Sequence, residues 1–219
     1  MIQITKPYAH LLEIASRAQG IALLQKVEWC GRISHRSEDA LTPESWKRFI
    51  EAVVIGHGDW SIVEHASASV DMVVDRGITH EIVRHRLFSF TQESTRFVNY
   101  EKKMPASFCE PPDLGPDARS AWLNAMDQAE MTYKYLLANG CSPQIARSVF
   151  PNALASRIVV TGNLRNWRHF FIMRTTKEAH PQMREIAIPL LAEFQERIPI
   201  LFDDIEPMAR QADGMRKAR

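Results

Sequence analysis

The segment RHRLFSFTQESTR, residues 84–96, concentrates side chains that bind anions. It contains three arginines and a histidine, with hydroxyl and carboxamide groups between them. A guanidinium matches the planar geometry of phosphate and carboxylate oxygens and can bind them through two parallel hydrogen bonds. Ser94 and Thr95 offer further donors to a phosphate, over which Arg96 could close. The segment therefore predicts a binding site for phosphorylated ligands.

The two arginines at the start of this segment are expected to have different partners. Arg84 and Arg86 are two positions apart, which on a helix separates their side chains by about 200°. They would then serve different ligands, unless the helix ends there. The alternative is that one arginine faces solvent and the other forms a surface ion pair.

A second cationic region lies further along the chain. None of the 26 acidic residues falls between Met131 and Lys177. A solvated surface usually mixes both signs of charge, so an acid-free stretch of this length favours anion binding over a chance distribution. Its cations are Lys134, Arg147, Arg157, Arg165, Arg168, Arg174 and Lys177.

The overall composition restricts the class of protein. With 27 basic and 26 acidic residues, the net charge of +1 disfavours a general nucleic-acid or membrane-surface binder. No stretch approaches the roughly 18 apolar residues that span a bilayer, and the N-terminal residues do not resemble a secretory signal. Three cysteines without a CxxC pair indicate a reducing compartment. We therefore predict a cytoplasmic protein without nucleic-acid or membrane partners.

Several common catalytic motifs are missing. The sequence has no GxGxxG, GxxxxGKS/T or GxSxG pattern, so a bound dinucleotide would not use a Rossmann turn or a P-loop. His80 and His85 are one residue too far apart for a zincin helix, and we predict no metal site. The cysteines have no adjacent histidine and are expected to be small buried side chains.

Two elements are predicted immediately before residues 84–96. The stretch EHASASVDMVVD alternates with a period of two, which predicts a strand. Its apolar face carries Ala66, Ala68, Val70, Met72 and Val74. Gly77 is expected to break the chain, and ITHEIVRHR to form a short helix with Ile78, Ile82 and Val83 inward.

The rest of the chain is predicted to be mainly helical. MIQIT is expected to be a strand, YAHLLEIASRAQ a helix, and Thr42 the cap of a helix that begins at Pro43. A long amphipathic helix is predicted from 116 or 117 to Gly140, and a short one after Ser142. ASRIVVTGN should be a strand, with helices at LRNWRHFFIMR and PQMREIAIPLLAEFQERI, the second interrupted or bent at Pro189. The fold class is α+β (mixed α/β), a single domain of residues 1–219 with a small sheet flanked by helices and a tail frayed from about residue 208.

The segment 84–96 also resembles a known signature. RHR, seven further residues, Ser94 and then Arg96 is similar to the pattern of the flavin-dependent thymidylate synthases. EHASASV resembles the Glu-His strand of that family, and residues 146–186 resemble its C-terminal half. The resemblance covers most of residues 40–202.

This resemblance implies an α/β homotetramer whose active sites are built from several subunits. Such an enzyme methylates dUMP to dTMP with the methylene group of 5,10-methylenetetrahydrofolate. FAD is the bound cofactor, NADPH reduces it, and no cysteine attacks the uracil. The partners implied are therefore dUMP, a folate and NADPH.

The resemblance also implies roles for individual residues. FAD would be contacted by Ser67, Arg84, His85, Arg86, Gln92, Asn163, Leu164, Arg165 and His169. The substrate dUMP would be contacted by Glu81, Ile82, Val83, Arg84, Gln92, Glu93, Ser94, Thr95, Arg96, Arg147 and Arg174. Arg174 is expected to polarise the uracil and favour its ionisation at N3. Ser94 is expected to bind phosphate rather than act as a nucleophile, because no neighbouring residue supplies a base.

Some positions depart from the family pattern, and one other class of function remains open. Glu81, Glu93, Thr95 and His169 stand where members more often carry other residue types. The alternative is an arginine-rich nucleotide- or RNA-binding module without catalysis, in which aromatic residues such as those of NWRHFF stack on bases. The near-zero net charge favours the enzyme.

Overall fold

A computed structural model describes residues 2–208 of the chain as a mixture of helices and short sheets. The strands are β1 Gln3–Ile4, β2 Tyr8–Leu11, β3 Ser67–Asp75, β4 Ser89–Gln92, β5 Ser107–Phe108 and β6 Ala155–Asn163. The α-helices are α1 Arg17–Ile33, α2 Ser45–Phe49, α3 Arg76–Ile82, α4 Pro116–Ala138, α5 Pro143–Ala146, α6 Leu164–Arg174 and α7 Pro181–Arg197, and a π-helix, Ile50–Gly56, continues α2. The predicted mixed α/β class is confirmed.

Two sheets are present in the described residues. One pairs β1 with β5 in parallel, and the other has four strands in the order β2-β3-β6-β4. In β3 the predicted apolar face is confirmed, because Ala66, Ala68, Val70 and Met72 have no exposed surface and Val74 has almost none. The period of two therefore identified the buried face of the longest strand before the binding segment.

The chain divides into two compact units. The first comprises Met1–Tyr8, Met72–Arg84 and Phe90–Val159, and the second comprises Ala9–Asp71, His85–Ser89 and Val160–Arg219. The boundaries fall within β3 and β6, so each of these strands contributes residues to both units. The single domain expected from the sequence stays a prediction.

Each unit has its own aromatic core. In the first, Tyr133 stacks on Phe150 at a centroid distance of 4.5 Å, and Tyr100 packs against both rings. In the second, Trp167 and Phe171 of α6 pack against Phe194 of α7. The core of the second unit therefore anchors the inner face of α6, the helix that ends at Arg174.

The helix predicted over residues 8–19 is wrong in its first half. Tyr8–Leu11 is a strand, with Ala9 and Leu11 buried and His10 between them exposed. The Leu12 N–H donates to the Ser69 carbonyl at 3.0 Å, so pairing beside β3 overrides the helical spacing of the apolar residues. The helix begins only at Arg17, after a capping box formed by Ser16 and Gln19.

Two other local expectations are corrected. Thr42 does not cap α2, which begins at Ser45 with Glu44 as its N-cap residue; the Ser45 hydroxyl accepts the Thr42 N–H at 2.9 Å and donates to buried Glu28 at 2.9 Å. Gly77 does not break the chain but lies inside α3. Its missing Cβ leaves room for Asp75 Oδ1, which accepts the Ile78 N–H at 2.9 Å and caps the helix.

The helix predicted up to residue 86 also ends earlier. Helix α3 stops at Ile82, and Ile78 and Ile82 are buried as expected. Val83 is 39% exposed rather than inward-facing, because the chain has already left the helix.

The other predicted elements are confirmed with small shifts. Helix α4 begins with Pro116 at its first position, and Gly140 follows its end with φ +83°. Helix α7 runs through Pro189, so the interruption expected there as one alternative is wrong. The tail expected to fray after residue 208 lies outside the described residues. Within residues 2–208 no helix is both long and apolar enough to cross a membrane.

Candidate functional site

A hydrogen bond joins the two cationic regions of the sequence within the second unit. Arg174, the last residue of α6, lies with its Nε 2.9 Å from Nε2 of His85. A guanidinium can only donate, so the imidazole nitrogen is the acceptor. His85 is therefore neutral and carries its proton on Nδ1. This contact brings together the residue implied to polarise the uracil and one implied to contact the flavin.

The surroundings of His85 keep its ring neutral. The imidazole lies 5.2 Å from the Phe170 ring and about 6 Å from the rings of Phe88 and His169, measured between centroids. Burial, together with the neighbouring Arg174 and His169, lowers the pKa of His85 from 6.5 to about 4, and burial contributes most. At neutral pH the ring is thus a permanent hydrogen-bond acceptor toward Arg174.

The segment that carries His85 is held by the start of α6. Asn163 caps this helix by accepting the Asn166 N–H at 2.8 Å, and the Asn166 side-chain amide donates to the Leu87 carbonyl at 3.0 Å. Phe88 packs edge-on against Trp167 at 4.8 Å. Its ring lies so close to Gly162 that a Cβ there would be 2.4 Å away. Sequence reasoning missed Asn166 and Phe88, since neither forms a recognisable motif.

A small cleft lies along the outer face of α6. It has a volume of about 190 Å³ and is lined by Trp60, Arg165, Arg168, His169 and Ile172. Arg165 and His169, two of the residues predicted to contact FAD, are brought together here. Ligand pockets usually span roughly 300–1,000 Å³, so this cleft suits one ring or one phosphate of a larger ligand.

Several cations of the acid-free stretch are neutralised by acids from elsewhere in the chain. Arg168 is buried, forms two hydrogen bonds with the Asp204 carboxylate at 2.6 and 2.5 Å, and lies 4.4 Å above the Trp60 ring. Arg165 pairs with Glu64 at 2.6 Å on the surface. The interpretation of Arg168 as an anion-binding cation is therefore wrong, because its guanidinium is bound to an internal carboxylate.

The first unit contains most of the residues implied to bind dUMP. Arg147 donates from Nη1 to the hydroxyl of buried Thr95 at 2.7 Å. The side-chain amide of Gln92 donates to Thr79 at 3.0 Å and to Ser156 at 3.1 Å. These bonds hold Gln92 and Thr95, at the start and near the end of the QESTR segment, against the body of the unit.

Glu93, within the same segment, is engaged by a buried tyrosine. The Tyr100 hydroxyl donates to the Glu93 carboxylate at 2.5 Å, and the Tyr100 backbone N–H donates to the Tyr133 hydroxyl at 3.3 Å. Burial and the Glu93 carboxylate raise the pKa of Tyr100 well above 10. Tyr100 was not identified from the sequence, because the spacing of seven residues to Glu93 matches no element.

The predicted site residues differ in exposure. The side chains of Val83, Arg84, Arg86 and Arg96 are exposed, as are those of Ser67, Arg165 and His169, whereas Glu81 and Ser94 are half-buried. Ile82 and Leu164 are almost completely buried, so a ligand would reach them through the backbone. By unit, the second contains Ser67, His85, Arg86, Asn163, Leu164, Arg165, His169 and Arg174, and the others lie in the first.

A larger cavity of about 390 Å³ lies in the second unit, away from all residues that the sequence singled out as ligand contacts. Its polar lining includes Arg32, His35, His57 and Asp59. These residues come from separate loops and from α1, and this dispersion explains why no sequence pattern revealed them. Among residues 2–208 no three His, Cys, Asp or Glu side chains converge as metal ligands, and the absence of a metal site stays a prediction.

Comparisons with known proteins find similarity over most of the chain. A family model described as "Thymidylate synthase complementing protein" (Thy1) matches residues 22–200. The flavin-dependent thymidylate synthase of Corynebacterium efficiens is 35% identical over 212 residues, with 88% of this chain and 83% of that protein covered. That of Mycobacteroides abscessus is 36% identical over 208 residues, with 86% and 81% covered.

A solved structure has a similar fold. The UMP/dUMP methylase PolB from Streptomyces cacaoi, bound with 5-Br dUMP, superimposes with a TM-score of 0.74, with 92% of this chain and 96% of that chain covered. Its sequence identity is 24%, so the similarity establishes the fold alone.

Proposed function

The chain belongs to the family of flavin-dependent thymidylate synthases, and we propose that it methylates dUMP to dTMP with 5,10-methylenetetrahydrofolate, FAD and NADPH. The observation that carries the proposal is the 2.9 Å hydrogen bond between Arg174 and His85. It joins a residue implied to act on the pyrimidine to a residue implied to contact the flavin, as a site that couples the two ligands requires.

The residues proposed to contact FAD fit a flavin dinucleotide. FAD carries a diphosphate, and Arg84, Arg86 and Arg165 each present an exposed side chain. The cleft beside Trp60, Arg165 and His169 is large enough for one ring or phosphate of the cofactor. When bound, the flavin supplies the reducing equivalents that convert the transferred methylene into a methyl group. Ser67, Gln92, Asn163 and the Leu164 backbone complete the proposed contacts.

In the substrate site, the chain is proposed to bind dUMP and to polarise its pyrimidine ring. Arg147, Arg96 and the hydroxyls of Ser94 and Thr95 are proposed to hold the phosphate of dUMP. Glu81, Ile82, Val83, Arg84, Gln92 and Glu93 would line the nucleoside. Arg174 would donate from its Nη groups to the pyrimidine, because its Nε–H already donates to His85. A positive charge there stabilises the N3 anion and so activates the ring.

The proposed assembly is a homotetramer with shared active sites, located in the cytoplasm. Two apolar side chains within and beside the RHR…STR segment are unusually exposed, Leu87 at 80% and Phe97 at 74%. Such side chains are compatible with the shared interfaces that the proposed assembly requires. The three cysteines are all free thiols, in keeping with a reducing compartment.

The alternative, a nucleotide- or RNA-binding module without catalysis, is disfavoured. It requires cations that are available to a phosphate backbone. Arg168 instead binds Asp204, and Lys134 binds Glu130.

The test uses the purified full-length chain. We expect bound flavin absorbance, or its recovery after adding FAD, and release of the C5 hydrogen of dUMP with methylenetetrahydrofolate and NADPH. Light scattering should give four times the 25.1 kDa of the chain. A colourless protein that cannot be reconstituted with FAD contradicts the proposal. Arg174→Ala should retain flavin while turnover falls by about 1,000-fold; loss of flavin with normal turnover per bound flavin contradicts the role of Arg174.

A further inference from the structure

We propose that His85 is a positioning residue for Arg174: as a neutral imidazole it accepts the Arg174 Nε–H and sets the plane in which the guanidinium meets the pyrimidine. This inference rests on the proposed function, because it concerns the orientation of the group that acts on dUMP. The family resemblance implies that His85 contacts the flavin. The proposal gives the same imidazole ring a second role.

The Arg174 guanidinium needs a partner to fix its orientation. The arginine side chain has several rotatable bonds, so the end of α6 alone does not orient the guanidinium. The guanidinium is planar, and a hydrogen bond at Nε determines the direction of that plane. With His85 Nε2 accepting from Nε at 2.9 Å, Nη1 and the outer N–H of Nη2 lie on the edges of the guanidinium that do not face the imidazole. These are the donors that a pyrimidine carbonyl and N3 would meet.

The acceptor, the imidazole of His85, is held in place by its neighbours. The Phe170 ring packs against the imidazole at 5.2 Å. The following residues are held by the Asn166 bond to the Leu87 carbonyl and by the close approach of Phe88 to Gly162. An acceptor held in this way orients its donor without reorganisation during the reaction.

The charges around the His85 ring favour its neutral form. The charged and titratable groups that act on the ring from α6 are Arg174 and His169, and Arg86 is close in the chain. Partial burial disfavours a positive charge on His85 most, and Arg174 and His169 act in the same direction. An imidazolium would have no lone pair for Arg174 and would repel it. The ring therefore works in its neutral form, and its only remaining donor is Nδ1–H.

Two matched variants test the proposal in the flavin-loaded enzyme. His85→Gln retains an acceptor, Oε1, near the position of Nε2, whereas His85→Phe retains a ring without any acceptor. We expect His85→Phe to keep its flavin and its KM for dUMP within about threefold while kcat falls about 100-fold. His85→Gln should recover at least a tenth of the wild-type kcat and should lose the acidic limb of the kcat–pH profile.

A spectroscopic measurement is independent of turnover. With ¹⁵N-labelled histidine, one of the eight histidines should carry its proton on Nδ1 at pH 7 and should not titrate above pH 5. That signal should vanish in His85→Gln and shift in Arg174→Ala. A wild-type kcat in His85→Phe overturns the inference. So does a loss of flavin that accounts for the whole loss of activity, since His85 would then be a flavin contact only.

The two proposals fail in different ways. A folded wild-type protein that releases no C5 hydrogen from dUMP refutes the proposed function, whatever the state of His85. In that case the ¹⁵N signals still decide whether His85 accepts from Arg174. A titration of His85 near pH 6.5 refutes the inference even in an active enzyme.

Discussion

Arg147 Nη1 lies 2.7 Å from the hydroxyl oxygen of Thr95, which is 4% exposed. A buried hydroxyl thus accepts a hydrogen bond from an arginine proposed to bind the phosphate of dUMP. Thr95 is also one of the positions where the sequence departs from the family pattern. The contact gives this departure a physical role, because it orients a cation that would otherwise be mobile.

The first prediction concerns that contact. Thr95→Val preserves the side-chain volume but removes the acceptor, and a hydrogen bond to a charged group contributes about 1.5–3 kcal/mol. We expect the KM for dUMP to rise about tenfold with little change in kcat, because the phosphate does not react. Thr95→Ser keeps the hydroxyl and should behave as wild type. Steady-state kinetics measures both; equal KM values for the Val and Ser variants would refute the role of Thr95.

The second prediction concerns Tyr100 and Glu93. Tyr100→Phe removes the donor that lies 2.5 Å from the Glu93 carboxylate. Leaving a partly buried acceptor without its donor should lower the free energy of unfolding by about 2 kcal/mol in urea denaturation. The control is Tyr135→Phe on α4, since Tyr135 is 68% exposed and should change stability by less than about 0.5 kcal/mol. Equal stabilities of the two variants would contradict the structural role of Tyr100.

The raised pKa of Tyr100 also leads us to expect a loss of stability in alkali. Its pKa is raised in the folded protein above the ordinary value of 10. The unfolded chain therefore releases this proton first, and the contribution of Tyr100 is complete below pH 10 and declines as the pH rises above it. Tyr100→Phe should show a smaller decline between pH 9 and 11 than wild type, as measured by urea denaturation at each pH.

The third prediction concerns the contact of Phe88 with Gly162. A Cβ at position 162 would lie 2.4 Å from the Phe88 ring. Gly162→Ala should therefore displace residues 85–89 and lower the free energy of unfolding by about 1–3 kcal/mol. Phe88→Leu vacates part of the space, so the double variant should be more stable than the sum of the two single changes predicts. If the stability changes of the two single variants, measured by thermal denaturation, simply add up in the double variant, the contact between the Phe88 ring and Gly162 does not affect stability.

The fourth prediction concerns the stability of the protein in acid. Burial and the neighbouring cations lower the pKa of His85 from 6.5 to about 4. Between these values the unfolded chain binds the proton and the folded protein does not. The contribution of neutral His85 is thus complete above pH 6.5 and is lost as the pH falls toward 4. Calorimetry at pH 7, 5.5 and 4.5 should show a smaller decrease in melting temperature for His85→Gln than for wild type.

Much of the architecture could be predicted from the sequence, because it depends on local periodicity. The alternation in β3 identified its buried face, and the spacing of apolar residues identified α4, α6 and α7. Proline and glycine positions identified both ends of α4. Backbone sterics and hydrophobic patterning act over a few residues, so such elements leave a readable signal.

The segment Tyr8–Leu11 shows where local patterning fails. Its apolar residues also fit a helix, and only the neighbouring β3 makes it a strand. Local patterning also fails to show which cations are already bound to a partner within the protein. Arg168 and Arg174 lie on the same helix in the same acid-free stretch, yet one is bound to Asp204 and the other donates to His85.

The sequence by itself determined the residue types of the site, their clustering, most of the secondary structure and the family. Only the tertiary structure decided which cations are neutralised, which glutamate is held by a tyrosine and which histidine stays neutral. The reason is physical: charge, protonation and hydrogen bonding depend on partners distant in the chain. Arg147 and Thr95 are 52 positions apart, and His85 and Arg174 are 89 apart. No periodicity encodes such pairs, because they form only when the fold brings the segments together.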